Sequence, residues 1–314
     1  MTDFVSRPYA GEADLPLLIE FARRATIARA PGDTYLHPGD VVWQLYPATG
    51  AAWFENIELW FDAAGLAGYA LFEPPLSAQF DLRPGIGYGG EPFAAMLAWA
   101  EQRRGAAPAV QIPKAYAMLG DTTLATICLE SDLERIAALE SHGFEQTERH
   151  NVRYRRDLAG PVVVPPLPPG YTVRHATDAD VEERAELHRD AWSVWGNSTF
   201  SAGRYRRLRA APVYDEQLDI VVEAPDGQLV SYCISWQDRA SGIATFEPVG
   251  TRPAYTGRGL ARAAIHEALV RLQQRGMRTA LIGTASVNAP ALALYPSCGF
   301  AFVEKESYWV KQMG

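Results

Sequence analysis

Five prolines stand within nine residues near the middle of the chain, and neither a helix nor a central strand can run through such a segment. They are Pro161, Pro165, Pro166, Pro168 and Pro169, with Gly160 and Gly170 on either side. Proline at this density favours an extended, semi-rigid backbone, which is typical of a linker. At 314 residues the chain is long enough for two domains of ordinary size. We therefore predict a first domain at 1–156, a linker at 157–170 and a second domain at 171–314.

Three landmarks recur in the same order in the two predicted domains. Each domain starts with a strand and a helix, and each ends with a helix, a Gly-Phe pair and a closing pair of strands. The paired landmarks are 4–21 and 171–192 at the start, Pro84–Gly90 and Pro253–Gly259 in the middle, and Gly143-Phe144 and Gly299-Phe300 near the end. Landmarks that recur in order indicate an internal duplication.

Within the second domain, the apolar pattern predicts an α/β fold. Short alternating runs predict strands, and apolar residues three and four apart predict helices. The predicted strands are Asp219–Ala224, Leu229–Asp238, Ile243–Thr251, Thr279–Thr284, Phe300–Lys305 and Tyr308–Lys311, and the predicted helices are Gly259–Arg275 and Asn288–Ser297. We expect an α+β mixed sheet with flanking helices.

The charge balance and the cysteines exclude several classes of protein. With 29 Lys and Arg against 37 Asp and Glu, the formal charge is −8, which argues against nucleic acid or an anionic membrane as a partner. Cys128, Cys233 and Cys298 form no CxxC motif or Cys/His cluster, so neither a disulfide framework nor a metal site is expected. No leader pattern and no long apolar stretch are seen, so we expect a cytoplasmic protein, either a monomer or a homodimer.

The segment Thr256–Ala261, with the sequence TGRGLA, lies where a predicted strand gives way to a helix. Small residues there let a bulky anion approach the backbone, and the first turn of a helix offers unpaired N–H groups. One interpretation is that this turn binds a pyrophosphate. The alternative is that it is a glycine-containing turn without a ligand. A nucleotide P-loop is excluded because no lysine and hydroxyl residue follow the last glycine.

Together with the preceding strand, this segment resembles the central motif of the GNAT superfamily of N-acetyltransferases. That motif is a hydrophobic strand, a proline and then Gln/Arg-x-x-Gly-x-Gly/Ala at the start of a long helix. Here the strand and proline are Phe246–Pro253, Gly259 and Ala261 are kept, and Thr256 stands at the Gln/Arg position. A second GNAT signature, Asn-x-x-Ala-x-x-Leu-Tyr-x-x-x-Gly-Phe, is matched by Asn288–Phe300. Two motifs in order are more specific than either alone.

The resemblance implies two tandem GNAT-like acyl-CoA N-acyltransferase domains that use acetyl-CoA as co-substrate, without a metal. In the family a splayed strand opens a slot for the pantetheine arm, and Pro248, which has no N–H, is consistent with such a bulge. The residues that the resemblance assigns to coenzyme A are Val249, Gly250, Thr251, Thr256, Gly257, Arg258, Gly259, Leu260, Ala261, Asn288 and Tyr295.

Two residues are candidates for the acid and the base of the reaction. An amine with a lysine-like pKa of about 10.4 must lose a proton before it attacks, and a proton donor helps the thiolate to depart. The resemblance places Tyr295 beside the CoA sulfur as the acid, and the alternative is a core aromatic. Glu247, an acidic residue in an apolar strand, is the candidate base because burial would raise its pKa. The alternative is a carboxylate that holds an arginine.

Aromatic residues are the candidates for the acceptor pocket. We expect substrate contacts from Trp192, Trp195, Tyr205 and Trp236. Aromatics of the 192–214 stretch could equally pack a lid helix, and the arginines among them fit a solvated helix face. His188, His266 and Cys298 have no metal-ligand partners and are expected to be structural.

The first domain keeps the landmarks but lacks the residues with useful chemistry. Gly90-Glu91-Pro92 stands against Gly259-Leu260-Ala261, which puts a negative charge and a missing N–H where phosphate would bind. The residues that stand against Asn288, Tyr295 and Glu247 are Asp132, Leu139 and Ala78. We predict a degenerate GNAT-like domain that supports the second, contributes a wall of the acceptor pocket or mediates dimerisation. The glycine-rich loop Gly85–Gly90 provides an alternative interpretation, in which the first domain binds a nucleotide or acyl-CoA.

The leading prediction is an acetyl-CoA-dependent N-acetyltransferase that acts on a primary amine of a small molecule by direct attack. One alternative is a mycothiol synthase-like enzyme, which the tandem layout resembles and which an assay with the cysteinyl pseudodisaccharide would identify. A second is a peptide or protein N-acetyltransferase. A third is a non-catalytic acyl-CoA-binding regulatory module, which would bind acetyl-CoA without turnover.

Overall fold

The computed structural model describes residues 4–29, 35–46, 51–107, 119–120, 122–196 and 198–313. The strands are β1 (Val5–Pro8), β2 (Ile57–Asp62), β3 (Gly65–Glu73), β4 (Ser77–Leu82), β5 (Thr123–Leu129), β6 (Glu145–Asp157), β7 (Thr172–His175), β8 (Asp219–Glu223), β9 (Leu229–Asp238), β10 (Ile243–Thr251), β11 (Thr279–Ala285) and β12 (Ala301–Gln312). The helices are α1 (Leu15–Ala28), α2 (Pro38–Leu45), α3 (Ala51–Phe54), α4 (Glu91–Ala106), α5 (Leu133–Ser141), α6 (Val181–Trp192), α7 (Ala202–Arg209), α8 (Leu260–Gln274) and α9 (Ala289–Ser297). The predicted mixed sheet with flanking helices is confirmed.

The chain forms two compact units. The first contains the described residues of Met1–Tyr35, Thr49–Val152 and Glu304–Gly314, and the second contains those of Leu36–Ala48 and Arg153–Val303. Each unit therefore takes residues from both halves of the sequence. The division into domains at 1–156 and 171–314 concerns the duplication of the sequence, and it stays a prediction.

In the first unit, β1 to β4 pair antiparallel in sequence order. The chain between β1 and β2 is long and contains α1 to α3. Strand β5 runs parallel to β4, and the pairing there is short, with Ser77 opposite Ala125. The last strand of the chain, β12, lies antiparallel to β5, with Trp309 opposite Thr126. Helix α4 connects β4 to β5 and packs its buried face, which includes Phe93 and Met96, against the sheet.

In the second unit, β7, β8, β9 and β10 are antiparallel neighbours, and β11 is parallel to β10. Helix α8 connects β10 to β11 and lies against β8 and β9. Its predicted apolar face is confirmed, because Leu260, Ile265, Ala268, Leu269 and Leu272 are all buried. Each large apolar side chain of this kind stabilises the fold by roughly 1.5–3 kcal/mol. The helix therefore fixes the end of the segment Thr256–Ala261, where α8 begins, against the sheet.

Helix α2 also belongs to the second unit, although it comes from the first half of the sequence. It begins with a capping box, in which the His37 ring accepts from the Gly39 N–H and the Asp40 carboxylate accepts from the His37 N–H. The helix packs on β9 and β10. No periodicity in the sequence indicates this contact, because its partners lie about 200 residues further along the chain.

The predicted closing pair of strands at the end of each half is wrong. Phe300–Lys305 and Tyr308–Lys311 are parts of one strand, β12, and the first half ends likewise in the single strand β6. The residues between the two predicted strands are Glu306 and Ser307, neither of which provides the Gly, Asn or Pro of a tight hairpin. Both are instead paired with β5, opposite Leu129 and Cys128.

Candidate active site

Strand β10 carries a bulge at the residue predicted to be the base. Its antiparallel pairing with β9 runs to Phe246 and resumes at Val249, with a shift of register between them. The bulge therefore contains Glu247 and Pro248, and the bulge predicted from Pro248 is confirmed. A bulge of this kind re-aims a side chain and ends regular pairing, which is why bulges are common beside active sites.

Strands β10 and β11 separate beside this bulge. Their parallel pairing covers Ile243–Phe246 opposite Thr279–Ile282 and ends there. In the described pairing, the segment Val249–Thr251 keeps its ladder to β9 but has no partner on β11. Backbone groups on such an open strand edge can pair with an extended ligand. The strand geometry therefore provides the kind of slot that the GNAT resemblance predicts at Val249–Thr251.

The side chain of Glu247 is half-buried in this unit. Burial, with a smaller contribution from the Asp40 carboxylate, raises the pKa of its carboxyl to about 8. A carboxyl group with a pKa near the working pH is suited to general-base catalysis, because it is available as a base and still binds the proton that it removes.

The side chain of Trp236 supports the bulge from the neighbouring strand. Its indole N–H donates a hydrogen bond of 2.6 Å to the backbone carbonyl of Glu247. Trp236 is only 2% exposed, so it lies beneath the site rather than on its surface. Its position argues for a role in positioning Glu247, and we remove it from the proposed substrate contacts.

Helix α2 brings Asp40 to the site through two close contacts. A Cβ on Gly39 would overlap the Trp236 side chain, so only glycine allows the helix to approach β9 this closely. His37 is buried, and its Nε2 lies 3.2 Å from the carbonyl oxygen of Ile243 at the start of β10. Since Nδ1 already accepts from Gly39, Nε2 is the donor. Asp40 is a site residue that sequence reasoning missed, and only its capping-box pattern was visible.

Tyr295, the predicted acid, lies on α9 and is 6% exposed. Its ring packs edge-on against Tyr154, with ring centroids 5.9 Å apart. Among the described residues, none hydrogen-bonds its hydroxyl group. Burial raises the pKa of this hydroxyl above its usual range, and the charge of Glu247 raises it further. The structure therefore brings Glu247 and Tyr295 within electrostatic reach of each other.

A raised pKa affects what Tyr295 can do. The hydroxyl stays protonated at every pH at which the protein would work, so it is a permanent hydrogen-bond donor. A weaker acid than the departing thiol is a poor choice for complete proton transfer. Its chemistry is therefore best described as hydrogen-bond donation to negative charge that develops on sulfur.

The turn before α8 is open and glycine-dependent. Gly257 and Gly259 have φ values of +76° and +77°, a conformation that L side chains rarely adopt. A Cβ at either position would meet no atom within 4 Å, so the space beside the turn is free. The backbone N–H groups of the first turn of α8, starting at Leu260, have no intrahelical acceptor. The turn therefore matches the anion cradle expected from the sequence.

Thr256 and Arg258 flank these glycines. The Thr256 hydroxyl donates to the Pro253 carbonyl at 3.0 Å, so it shapes the turn. The exposed Arg258 guanidinium donates to the Tyr171 hydroxyl at 2.8 Å and lies 4.9 Å from the centre of the Tyr255 ring. Arg258 thus provides positive charge beside the cradle. The roles of the turn residues, including Leu260 and Ala261, in binding coenzyme A stay predictions.

The remaining predicted cofactor residues have clear local functions. A Cβ on Gly250 would lie 2.6 Å from the Tyr232 ring on β9 and 2.9 Å from the Ala191 Cβ on α6, so a larger residue would push β10 away from α6. The Thr251 hydroxyl lies 2.8 Å from that of Ser231 on β9. Asn288 caps α9, accepting from the Ala291 N–H at 3.4 Å, as the sequence predicts.

The four predicted aromatic contacts fall into two groups. Trp192 and Trp195 are half-buried at the end of α6, and the Trp192 indole donates to the Tyr232 hydroxyl at 2.9 Å. Tyr205 is 0% exposed and donates to Asp219 at 2.6 Å, so it belongs to the core with Trp236. We therefore keep only Trp192 and Trp195 as proposed substrate contacts.

An aromatic cluster beside α6 includes one residue that sequence reasoning missed. The rings of Trp43 on α2 and Phe200 lie 5.5 Å apart, and His188 lies between them and Trp192. Burial lowers the pKa of His188 to about 3, and the charge of Arg184 contributes to this. The His188 ring therefore stays neutral. Its Nδ1 lies 2.7 Å from the Tyr232 hydroxyl within the core, which agrees with the structural role predicted for His188.

In the described part of the chain, no group of three or more His, Cys, Asp or Glu side chains is arranged to hold a metal ion. None of the helices in the described ranges is both long and apolar enough to cross a bilayer.

Part of the chain matches a known protein family. Residues 182–300 match the acetyltransferase (GNAT) family. A mycothiol acetyltransferase from Kineococcus radiotolerans is 28% identical over 294 residues, which cover 89% of this chain and 88% of the relative. A mycothiol acetyltransferase from Actinosynnema mirum is 29% identical over 151 residues, which cover 47% of this chain and 50% of the relative.

Solved structures show the same fold. A GCN5-related N-acetyltransferase from Sphaerobacter thermophilus has a TM-score of 0.65 at 20% identity, with 99% of this chain and 96% of that chain covered. A tandem GNAT protein from the clavulanic acid biosynthesis pathway has a TM-score of 0.65 at 16% identity, with 100% and 99% covered. At these identities the likeness shows the architecture alone.

Proposed function

We propose that the second unit transfers the acetyl group of acetyl-CoA to a primary amine of a small molecule, because residues 182–300 match the acetyltransferase (GNAT) family. The GNAT resemblance, the tandem-GNAT fold and the N-acetyltransferase class predicted from the sequence are confirmed. GNAT acetyltransferases use acetyl-CoA as the acetyl donor. The acceptor, the direct attack and the residue roles below are proposals.

One observation carries the proposal: the bulge of β10 and its separation from β11 place Glu247 beside an open slot, with Tyr295 nearby. The pyrophosphate of CoA would accept N–H bonds from the turn at Gly257–Ala261, with Arg258 adding charge. The pantetheine arm would lie along Val249–Thr251. This arrangement would direct the thioester towards the bulge.

The proposed reaction has no covalent enzyme intermediate. Glu247, in its ionised form, removes a proton from the acceptor ammonium directly or through a water molecule. The amine nitrogen then attacks the thioester carbonyl carbon, the C–N bond forms and the C–S bond breaks. The nitrogen then loses a second proton, which goes to the departing thiolate while Tyr295 donates a hydrogen bond to the sulfur, and Glu247 releases the first proton to solvent.

The acceptor is proposed to be cationic. Asp40 on α2 contributes to the raised pKa of Glu247, which supports two carboxyl groups at the acceptor side. An ammonium group between them would be attracted by both and would lower the pKa of Glu247 back towards a normal value on binding. Trp43, Trp192 and Trp195 are half-buried aromatics that can contact the rest of the molecule.

The test is turnover across a panel of small cationic amines. We expect release of free thiol from acetyl-CoA that depends on the amine, and a product heavier by one acetyl group. A protein that binds acetyl-CoA but releases no thiol with any amine would contradict the proposal and favour the non-catalytic acyl-CoA-binding module.

A second candidate function is supported by the two relatives described above, which are both named mycothiol acetyltransferases. The first of them covers most of this chain, which supports a shared two-domain layout. The cysteinyl pseudodisaccharide therefore belongs in the amine panel. A kcat/KM for it at least about 100-fold above that of every other amine would assign this activity.

A further inference from the structure

The first unit contains the same sequence of elements that forms the slot in the second. Strands β3, β4 and β5 are antiparallel and then parallel, as are β9, β10 and β11. Helices α4 and α8 each follow a glycine N-cap, and α5 and α9 each follow a side-chain N-cap. The two N-caps, Asp132 and Asn288, therefore give a direct residue count between α5 and α9.

On this count two neighbouring positions carry charge in the first unit and none in the second. The third residue after the cap is Arg135 in the first unit and Ala291 in the second. The residue before it is Glu134 in the first unit and Pro290 in the second. Two small or neutral residues beside the open slot are thus replaced by two charged ones.

The Glu134 carboxylate lies in the glycine loop of the first unit. Its Oε1 accepts a hydrogen bond from the Tyr88 N–H at 3.0 Å. A Cβ on Gly87 would collide with the same oxygen, so the loop approaches the carboxylate closely. This loop ends at Gly90, the N-cap of α4. An internal carboxylate therefore takes an N–H group of the loop that corresponds to the proposed pyrophosphate cradle at Gly257–Ala261.

The Arg135 side chain lies between the separated strands of the first unit. It is 1% exposed. Its Nη1 donates to the Phe80 carbonyl on β4 at 3.0 Å, and its Nη2 donates to the Thr126 hydroxyl on β5 at 3.5 Å. Pairing between β4 and β5 is recorded only where Ser77 faces Ala125, so the guanidinium occupies the gap beyond it.

Neighbouring side chains hold the guanidinium there. It lies 4.3 Å from the centre of the Tyr35 ring and 5.3 Å from that of Tyr88. The fully buried Asp81 supplies negative charge, and Arg29 contacts Asp81 at 3.5 Å. A buried ion cluster of this kind is costly to break, because removal of one member leaves the others unpaired.

We propose that the protein's own side chains occupy the first unit's coenzyme A-type slot, with the exposed Glu134 at its mouth and the buried Arg135 inside it, and that the protein binds one coenzyme A per chain. Glu134 stands where the pyrophosphate would bind, and Arg135 stands where the pantetheine arm would run. The slot is closed by the protein itself, so the first unit keeps its splayed strands without a ligand. The count of one coenzyme A rests on the coenzyme A binding proposed for the second unit, whereas the closed slot rests on the geometry of the first; no coenzyme A bound by the wild type would refute the former.

The test counts coenzyme A by isothermal titration calorimetry on the full chain. We expect one CoA per chain for the wild type. Ala291→Arg puts the same plug into the second unit and is expected to weaken CoA binding by about 100-fold or more, since the arm would have to displace a buried guanidinium. The matched control is Ala293→Arg, on an exposed position of the same helix, which should bind CoA like the wild type. Two CoA per chain, or one CoA bound with wild-type affinity by Ala291→Arg, would overturn the proposal.

Hydrogen exchange on the wild type gives a second reading that requires no variant. Saturating CoA is expected to protect the amides of 256–262 and to leave those of 85–91 unchanged. Protection of both segments by CoA would show a second ligand site and would contradict the proposal.

Discussion

The indole N–H of Trp236 donates a hydrogen bond of 2.6 Å to the backbone carbonyl of Glu247, inside the bulge of β10. The bulge removes a regular ladder contact at this point, so the carbonyl needs another donor. Because α2 presses Gly39 against the same tryptophan, the position of the proposed base depends on packing that involves the first half of the sequence.

Trp236→Phe tests this support. The ring is kept but the donor is lost, so the carbonyl of Glu247 is left without its partner at a cost of about 1–3 kcal/mol. We expect a lower melting temperature, a kcat reduced roughly 10-fold and a shifted pH profile, because Glu247 changes its surroundings. Trp99→Phe in the first unit is the control. An unchanged kcat together with an unchanged pH profile would show that the bond does not position the base.

Glu247→Gln removes the proposed base. In the wild type, activity should rise with pH as the carboxyl, with its pKa near about 8, loses its proton. The variant should lose this rise and should have a kcat lower by roughly 100-fold or more, as is typical for loss of a general base. Glu145→Gln, at an exposed position, is the control. A variant that keeps the same alkaline rise would assign it to another group.

Glu247→Gln is expected to lower activity but to stabilise the folded protein at alkaline pH. The folded pKa of Glu247 lies above the value of 4.5 for an unperturbed carboxyl, so the folded protein binds more protons than the unfolded chain between about pH 4.5 and 8. The free energy of unfolding therefore falls as pH rises through this window. Glu247→Gln removes this loss, and its melting temperature at pH 8 is expected to exceed that of the wild type.

Asp40→Asn tests the acidic partner. The asparagine side-chain oxygen can still accept the hydrogen bond from the His37 N–H. The start of α2 is therefore retained while the negative charge is lost. We expect the pKa of Glu247 to fall, which moves the alkaline rise to lower pH, and the KM for a cationic amine to increase several-fold. Asp226→Asn, in a distant turn, is the matched control. No movement of the rise would place Asp40 outside the acceptor site.

Tyr295→Phe removes the proposed hydrogen-bond donor to sulfur. We expect kcat to fall about 10- to 100-fold while the affinity for CoA changes little, because the donor acts on charge that develops during the reaction. Tyr154→Phe, which alters the ring packed edge-on against Tyr295, controls for packing. Equal losses in the two variants would indicate a structural role.

His188 predicts a loss of stability in acid. Its folded pKa of about 3 lies below the unperturbed value of 6.5, so the unfolded chain binds the extra proton between these values. The free energy of unfolding should therefore fall by up to about 1.4 kcal/mol for each pH unit below 6.5. Denaturant melts of the wild type and of His188→Gln between pH 4 and 7 would measure this, and parallel curves would contradict it.

The elements of the second half could be predicted because local patterns determine them. The bounds predicted for β9 and β10, Leu229–Asp238 and Ile243–Thr251, agree with the structure. The bulge followed from the missing N–H of Pro248. The closing strands failed because polar residues such as Glu306 hid the continuity of β12, which only pairing with β5 reveals.

The candidate site could be predicted only in part. Glu247 and Tyr295 belong to motifs that are contiguous in sequence, and the structure brings them close together. Asp40 could not be found, since its approach depends on packing between α2 and strands about 200 residues away. The burial of Tyr205 could not be predicted from the sequence either, because it depends on the hydrogen bond to Asp219 that only the structure shows.

The most direct measurement is the ratio of free thiol to N-acetylated amine formed from acetyl-CoA by the wild-type protein with its preferred amine. We expect amine-dependent turnover with one thiol for each acetylated amine. In Glu247→Gln, we expect thiol release and amine acetylation to be lost together. Thiol release without an acetylated amine, or no release with any amine, would contradict the proposed N-acetyltransferase activity.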